Sequence, residues 1–267
     1  MRIWEQGLVA TYSIPGYKEL ILEHYDAFRR PDTDIAVHGV KDVSGPLALQ
    51  IAGKAVNYAY LQRFHEQQIL ANARQAEREG FDAIILGALQ DPVLREARAA
   101  VDIPVLGYGE VSMLTAMTLG ERFGFITINP NMEGVINLMI RDRGLEARAA
   151  PTTFMECGYP DLSAAVEGQP QRFLDAFHEA ADRAMRQNGV DVILPGVTII
   201  TELLWKYGVT RVGDAAVLDP RLPLLRMAEM MVEMRSAGVS VSRRGYFWAK
   251  PPAELVASVM EFYGLPK

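Results

Sequence analysis

Four side chains in this sequence are typed and placed for proton transfer or nucleophilic attack: Glu110, Glu156, Cys157 and His65. Glu110 follows Gly107-Tyr108-Gly109 and opens a predicted helix. A carboxylate there serves as an acid–base group or simply faces the helix dipole. Tyr108 beside it can donate a hydrogen bond to a bound molecule. Glu156 and Cys157 share one turn after a predicted strand. A thiolate in such a turn is a nucleophile or base, whereas a lone buried thiol is a small apolar side chain. His65, next to Glu66, sits on a predicted helix, where imidazole suits either acid–base work near neutrality or plain packing. His38 ends a predicted strand, and His24 and His178 fall on predicted helices. Four scattered histidines without HExxH spacing argue against a metal site. Asp219, before Pro220, either lines a cleft or makes a turn.

The elements that must position these groups follow from a repeat. Gly80-Phe-Asp-Ala-Ile-Ile-Leu-Gly-Ala88 and Gly189-Val-Asp-Val-Ile-Leu-Pro-Gly-Val197 are near copies at a constant offset of 109 residues. Two equivalent halves are therefore expected. Strands are predicted at 2–9, 34–40, 83–87 and 104–106, and again at 124–128, 151–155, 190–194 and 215–218. A turn at Ser13, Pro15 and Gly16 and a polar connection through Gly45 and Pro46 link the first of them to helices. Asp91-Pro92 reads as an N-cap followed by the first residue of a helix. Alternating strands and helices imply right-handed crossovers and parallel sheets. Ligands in such sheets lie beyond the carboxyl ends of the strands. Ala88, Gly109, Thr127, Cys157, Val197 and Asp219 all fall at or just after predicted strand ends. Met227, Met230, Met231 and Met234, at helical spacing, read as core or subunit interface.

Composition narrows the classes. The 267 residues contain 49% hydrophobic and 22% charged residues, enough for one large core or two smaller ones. A net charge of −6, with no basic tract, argues against nucleic acid as a partner. The N-terminus lacks the basic region and apolar run of a signal peptide, and no apolar stretch is long enough to span a membrane. A single cysteine excludes an intrachain disulfide and fits a reducing, cytoplasmic setting.

Several segments carry a resemblance: Gly80-Phe-Asp-Ala-Ile-Ile-Leu-Gly, Asp91-Pro92 with Glu96-Ala97-Arg98, and Ile103-Pro-Val-Leu-Gly-Tyr-Gly-Glu110. Phe125-Ile-Thr127, Gly189-Val-Asp-Val-Ile-Leu-Pro-Gly196, Leu218-Asp-Pro220 and Ser242-Arg-Arg-Gly245 continue it in order. The chain resembles the aspartate/glutamate/hydantoin racemase superfamily, and its hydantoin racemase-like branch in particular. The resemblance implies an α/β fold of two pseudo-symmetric flavodoxin-like halves, each with a parallel four-stranded sheet, and an interdomain cleft. The halves are expected at 1–108 with 220–267, and at 109–219. No cofactor or metal is implied; a small-molecule substrate and a homo-oligomer are. Ala88 and Val197 stand where racemases of this kind place their two proton-exchanging cysteines. Tyr108, Thr127, Thr198 and Asp219 are then expected to bind substrate alongside them. The N-terminal strand lacks the asparagine-rich turn common in hydantoin racemases.

Neither alanine nor valine exchanges a proton, so a two-thiol racemisation is not expected. The expected function is a cofactor-independent enzyme acting on a small carboxylate or cyclic amide by oxygen or nitrogen acid–base groups. Hydrolytic ring opening is favoured. One-face decarboxylation or isomerisation is the alternative enzyme reading, and a catalytically silent binding homologue is the alternative class.

Overall fold

A computed structural model describes residues 1–8, 15–40 and 55–265. The turn expected at Ser13 and the connection through Gly45 and Pro46 lie outside the described residues. In chain order, the first half runs β1 (Arg2–Gln6), α1 (Tyr17–Asp26), β2 (Asp34–His38), α2 (Ala59–Arg78), β3 (Ala83–Leu86), α3 (Leu94–Ala100) and β4 (Val105–Gly107). There follow α4 (Tyr108–Leu119), β5 (Phe123–Thr127), α5 (Met132–Asp142), β6 (Thr153–Phe154), α6 (Tyr159–Val166), α7 (Gln171–Asn188) and β7 (Val192–Pro195). The chain continues through α8 (Thr198–Lys206), β8 (Arg211–Val212), β9 (Ala215–Val217), α9 (Arg221–Ser236) and α10 (Ala253–Phe262).

Two sheets result, ordered β2-β1-β3-β4 and β6-β5-β7-β9-β8. Apart from β8 the orders are the same, and all pairings in that common part are parallel. The repeat supplies the central strand of each. Ala83 pairs with Ile3, and Val192, its counterpart in the repeat, pairs with Phe123. Both central strands are buried throughout, as their unbroken apolar runs require of strands covered on two faces. The expected four parallel strands are present in the first sheet. The second has a fifth, because the chain turns tightly at Gly213-Asp214 and sends β8 antiparallel along β9.

The glycines that end the two repeated strands allow close approach to the neighbouring strand. A Cβ on Gly87 would lie 2.5 Å from Glu5 Oε1, and one on Gly196 would lie 2.7 Å from Thr127 Cβ. The Gly87 and Gly196 N–H groups donate to Gln6 O at 2.9 Å and to Ile126 O at 2.7 Å. The same strand–strand geometry is therefore built twice.

Asp91 departs from the sequence expectation. It does not cap the helix that follows it; Asp91 and Val93 both take left-handed backbone conformations, and α3 starts only at Leu94. Its carboxylate instead accepts the N–H groups of Gly109 at 2.8 Å and Glu110 at 2.7 Å, the first turn of α4. Arg143 Nη2 completes the set at 2.6 Å. A cap that looks local in sequence serves a helix eighteen residues later, tying the loop after β3 to both α4 and α5. Helix α6 lies where the sequence pattern predicts no element, and the strand expected at 151–155 shortens to two residues.

Helix α9 packs on β3, β4 and α4, and α1 packs on α8, so elements distant in sequence meet above the strand ends. Helix α10 buries none of its residues and leaves Leu255 and Phe262 exposed. Among the described residues no helix is long and apolar enough to cross a membrane.

Candidate functional site

A cavity of about 120 Å³ lies between the carboxyl ends of the two sheets. A single water needs roughly 10–15 Å³ of such space, so the cavity has room for a small organic molecule. Gly87-Ala88 and Gly196-Val197 face it from the two repeats. Apolar Leu8, Ile21 and Met132 contribute to its walls, and Tyr17, Asn129 and Thr198 add polar groups. Val197 is the N-cap of α8 and offers no side-chain cap, so the first-turn amides of that helix stand beside the cavity without one. The hydroxyls of Tyr17 and Thr198 are 3.0 Å apart.

The charged part of the wall is Glu5 and Arg221, 1% and 0% exposed. Arg221 Nη1 donates to Glu5 Oε1 and, at 3.1 Å, to Tyr25 Oη. Its Nε donates to Glu202 Oε1 at 2.7 Å. Behind them, His24 places Nδ1 at 2.5 Å from Glu202 Oε2 and Nε2 at 2.9 Å from Asp219 Oδ2. Glu5 Oε2 and Arg221 Nη2 have no partner among the described residues. Leaving a buried polar atom unpaired costs about 1–3 kcal/mol, and more for a charged group. One acceptor and one cationic donor of this buried ion pair are thus left unsatisfied, on two residues that contribute to the cavity lining.

Burial opposes protonation of His24, but the hydrogen bonds to Asp219 and Glu202 outweigh it and hold the imidazole above its ordinary value of 6.5. The corresponding stability is fully present below that value and is lost as pH rises through the raised one. Burial likewise pushes the Asp91 carboxyl up to about 7, against the Arg143 charge and the two backbone donors that favour its ionised form.

The groups expected from sequence divide sharply. Ala88, Val197 and Thr198 line the cavity. Asp219 does not; it is one step behind, on His24 and on the Arg221 N–H at 2.9 Å. Tyr108 is fully buried with its hydroxyl 2.5 Å from Thr201 Oγ1, and Thr127 Oγ1 accepts the Asn129 N–H at 3.2 Å. Their hydroxyls are spent on internal bonds, and neither residue reaches the wall.

None of the four expected catalytic groups lines the cavity either. Glu110 is held in a two-pronged pair by Arg98 at 2.5 and 3.2 Å. Glu156 is exposed, and Arg172 binds its carbonyl. His65 lies on α2, where burial lowers its basicity. Cys157 packs at the edge of the main core, where burial and then the Asp161 charge push its thiol up to about 11. So little thiolate exists near neutral pH that iodoacetamide should alkylate native Cys157 at least about tenfold more slowly than the urea-unfolded chain. Equal rates, read by mass spectrometry, would place the thiol in a reactive setting.

The family model described as Asp/Glu/hydantoin racemase matches residues 17–234. The chain belongs to the Asp/Glu/hydantoin racemase family. A hydantoin racemase of Rhizobium meliloti is 27% identical over 175 residues, 66% of this chain and 69% of that protein. The fold of the family is seen in an allantoin racemase from Klebsiella pneumoniae, with a TM-score of 0.69, 20% identity and 94% of each chain covered. An allantoin racemase from Pseudomonas fluorescens gives 0.67 at 22% identity, covering 94% of this chain and 97% of that one.

Glu5, His24, Glu202 and Arg221 did not stand out as catalytic candidates in the sequence of this family member. A signal was present for two of them. Glu5 interrupts the strand Arg2-Ile-Trp-Glu-Gln6, and Glu202 interrupts the apolar run Ile199-Ile-Thr-Glu-Leu-Leu204. A charge inside a buried run requires a partner elsewhere in the fold.

Proposed function

We propose that this chain is a cofactor-independent enzyme that opens a small cyclic amide by hydrolysis in the cavity between Ala88 and Val197. The supporting observation is a buried ion pair in its lining, Glu5 with Arg221, in which one carboxylate oxygen and one guanidinium nitrogen have no partner among the described residues. Ala88 and Val197 occupy the positions that the resemblance gives to the racemase thiols, so proton exchange falls to other groups.

Glu5 takes a proton from water as the hydroxyl oxygen bonds to the ring carbonyl carbon. Arg221 Nη2, Thr198 Oγ1 and the first-turn amides of α8 stabilise the oxyanion that forms. The C–N bond then breaks, and Glu5 returns its proton to the leaving nitrogen. The product carries a carboxylate at one end and the released N–H group at the other.

Incubation with hydantoins, lactams and substituted malonates, followed by mass spectrometry, tests the reading. Gain of one water by a cyclic amide is expected. Loss of carbon dioxide from a malonate would favour a one-face carbanion reaction instead, served by the single carboxylate on one side. Deuterium entering both faces of an unconverted α-carbon would restore racemisation. Ligand stabilisation without turnover across the panel would favour a binding protein.

A further inference from the structure

We infer that His24, which is not part of the cavity wall, positions the Arg221–Glu5 pair through Glu202, and that it does so as an imidazolium. The inference rests on the reading of Glu5 as the acting group.

Both ring nitrogens face carboxylate oxygens, Nδ1 at 2.5 Å from Glu202 and Nε2 at 2.9 Å from Asp219. A neutral imidazole carries one N–H and one lone pair, so it satisfies only one of them. The doubly protonated ring satisfies both. Glu202 then divides its two oxygens between two cations, Oε2 to His24 and Oε1 to Arg221 Nε. Arg221 in turn divides its donors between Glu202 and Glu5. Asp219 closes the arrangement from the other side, because its second oxygen accepts the Arg221 backbone N–H at 2.9 Å.

The charges along Asp219, His24, Glu202, Arg221 and Glu5 alternate in sign. With His24 protonated, three carboxylates share two cations. With it neutral, they share Arg221 alone, and Glu202 competes with Glu5 for the guanidinium. The ring lies in a setting that suits a cation: Trp205 of α8 stacks on it at 4.3 Å, and Phe28 meets it edge-on at 5.4 Å. Among the described residues, Glu202 and Asp219 are the charged groups in contact with it. The Asp219 side chain is 34% exposed, which gives the ring its route for proton exchange with solvent.

Ring-nitrogen NMR tests the coupling directly, because the chain has four histidines. The His24 signal is assigned by its loss in His24→Gln, or by elimination with His38→Gln, His65→Gln and His178→Gln should that variant fail to fold. His24 is expected to titrate above its ordinary value, and Glu5→Gln, which removes one carboxylate from the series, is expected to move that titration to lower pH. An unmoved titration would overturn the inference. In turnover, kcat/KM should decline as pH rises through the His24 value. His24→Gln should show a lowered kcat, a nearly unchanged KM and no such decline. A decline that persists in His24→Gln would also overturn it. The NMR measurement needs no substrate, so absence of hydrolysis would remove the proposed reaction and leave the positioning role to stand or fall alone.

Discussion

Exchange of Arg221 for methionine is expected to lower the free energy of unfolding by about 3–5 kcal/mol, read from urea titrations of the intact chain. The side chain is completely buried and is the shared partner of Glu5 and Glu202, themselves 1% and 0% exposed. Its removal leaves two carboxylates in the interior with His24 as the remaining cation. The penalty is that of the stranded charges more than of the lost bonds. Out of a total stability of roughly 5–15 kcal/mol, such a loss consumes a large part of the margin. The triple variant Glu5→Gln, Glu202→Gln, Arg221→Met supplies the control. Uncharged groups of similar volume should recover much of the deficit. If the single and triple variants were equally unstable, packing of the Arg221 side chain would be the cause and the charge argument would fail.

Glu5→Gln is expected to reduce kcat by about 10²–10⁴-fold, the usual contribution of a positioned general base. The amide has nearly the same shape, and its oxygen can still accept from Arg221 Nη1, so the fold should persist. It cannot take a proton from water. Cys157→Ala provides the contrast, since that thiol lies off the cavity and is pushed up to about 11; activity should be unchanged. The opposite pattern, with activity retained in Glu5→Gln and lost in Cys157→Ala, would transfer the chemistry back to the thiol.

The scaffold was readable because its signals are local. The unbroken apolar runs Ala83–Leu86 and Val192–Pro195, bounded by turn residues, read as strands buried on both faces, and their flanking helices imply parallel crossovers. The repeat marks both central strands and the glycines after them without reference to any tertiary contact. Local rules yield where a distant partner is stronger. Asp91-Pro92 has the letters of a helix cap, yet the Asp91 carboxylate is drawn to the amides of α4 and to Arg143. Glu110 has the position of an active-site acid, yet Arg98 occupies both its oxygens. Cys157 is expected at a strand end, but β6 stops at Phe154, and the thiol in the turn beyond it is not part of the cavity lining.

By itself the sequence pointed to the two-sheet scaffold and the family, and put Ala88 and Val197 at equivalent strand ends as side chains unable to carry a proton. Periodicity and repetition act over a few residues, and they survive translation into structure almost unchanged. Only the tertiary structure decided which charged groups line the cavity and which stand behind its wall. Residues 5, 24, 202, 219 and 221 come from a first strand, a first helix and elements near the far end of the chain. They meet because α1 packs on α8 and α9 folds back over the first sheet. Burial then decides their meaning: charges that would be unremarkable in water must pair inside the protein, and Arg221 becomes the shared partner of Glu5 and Glu202.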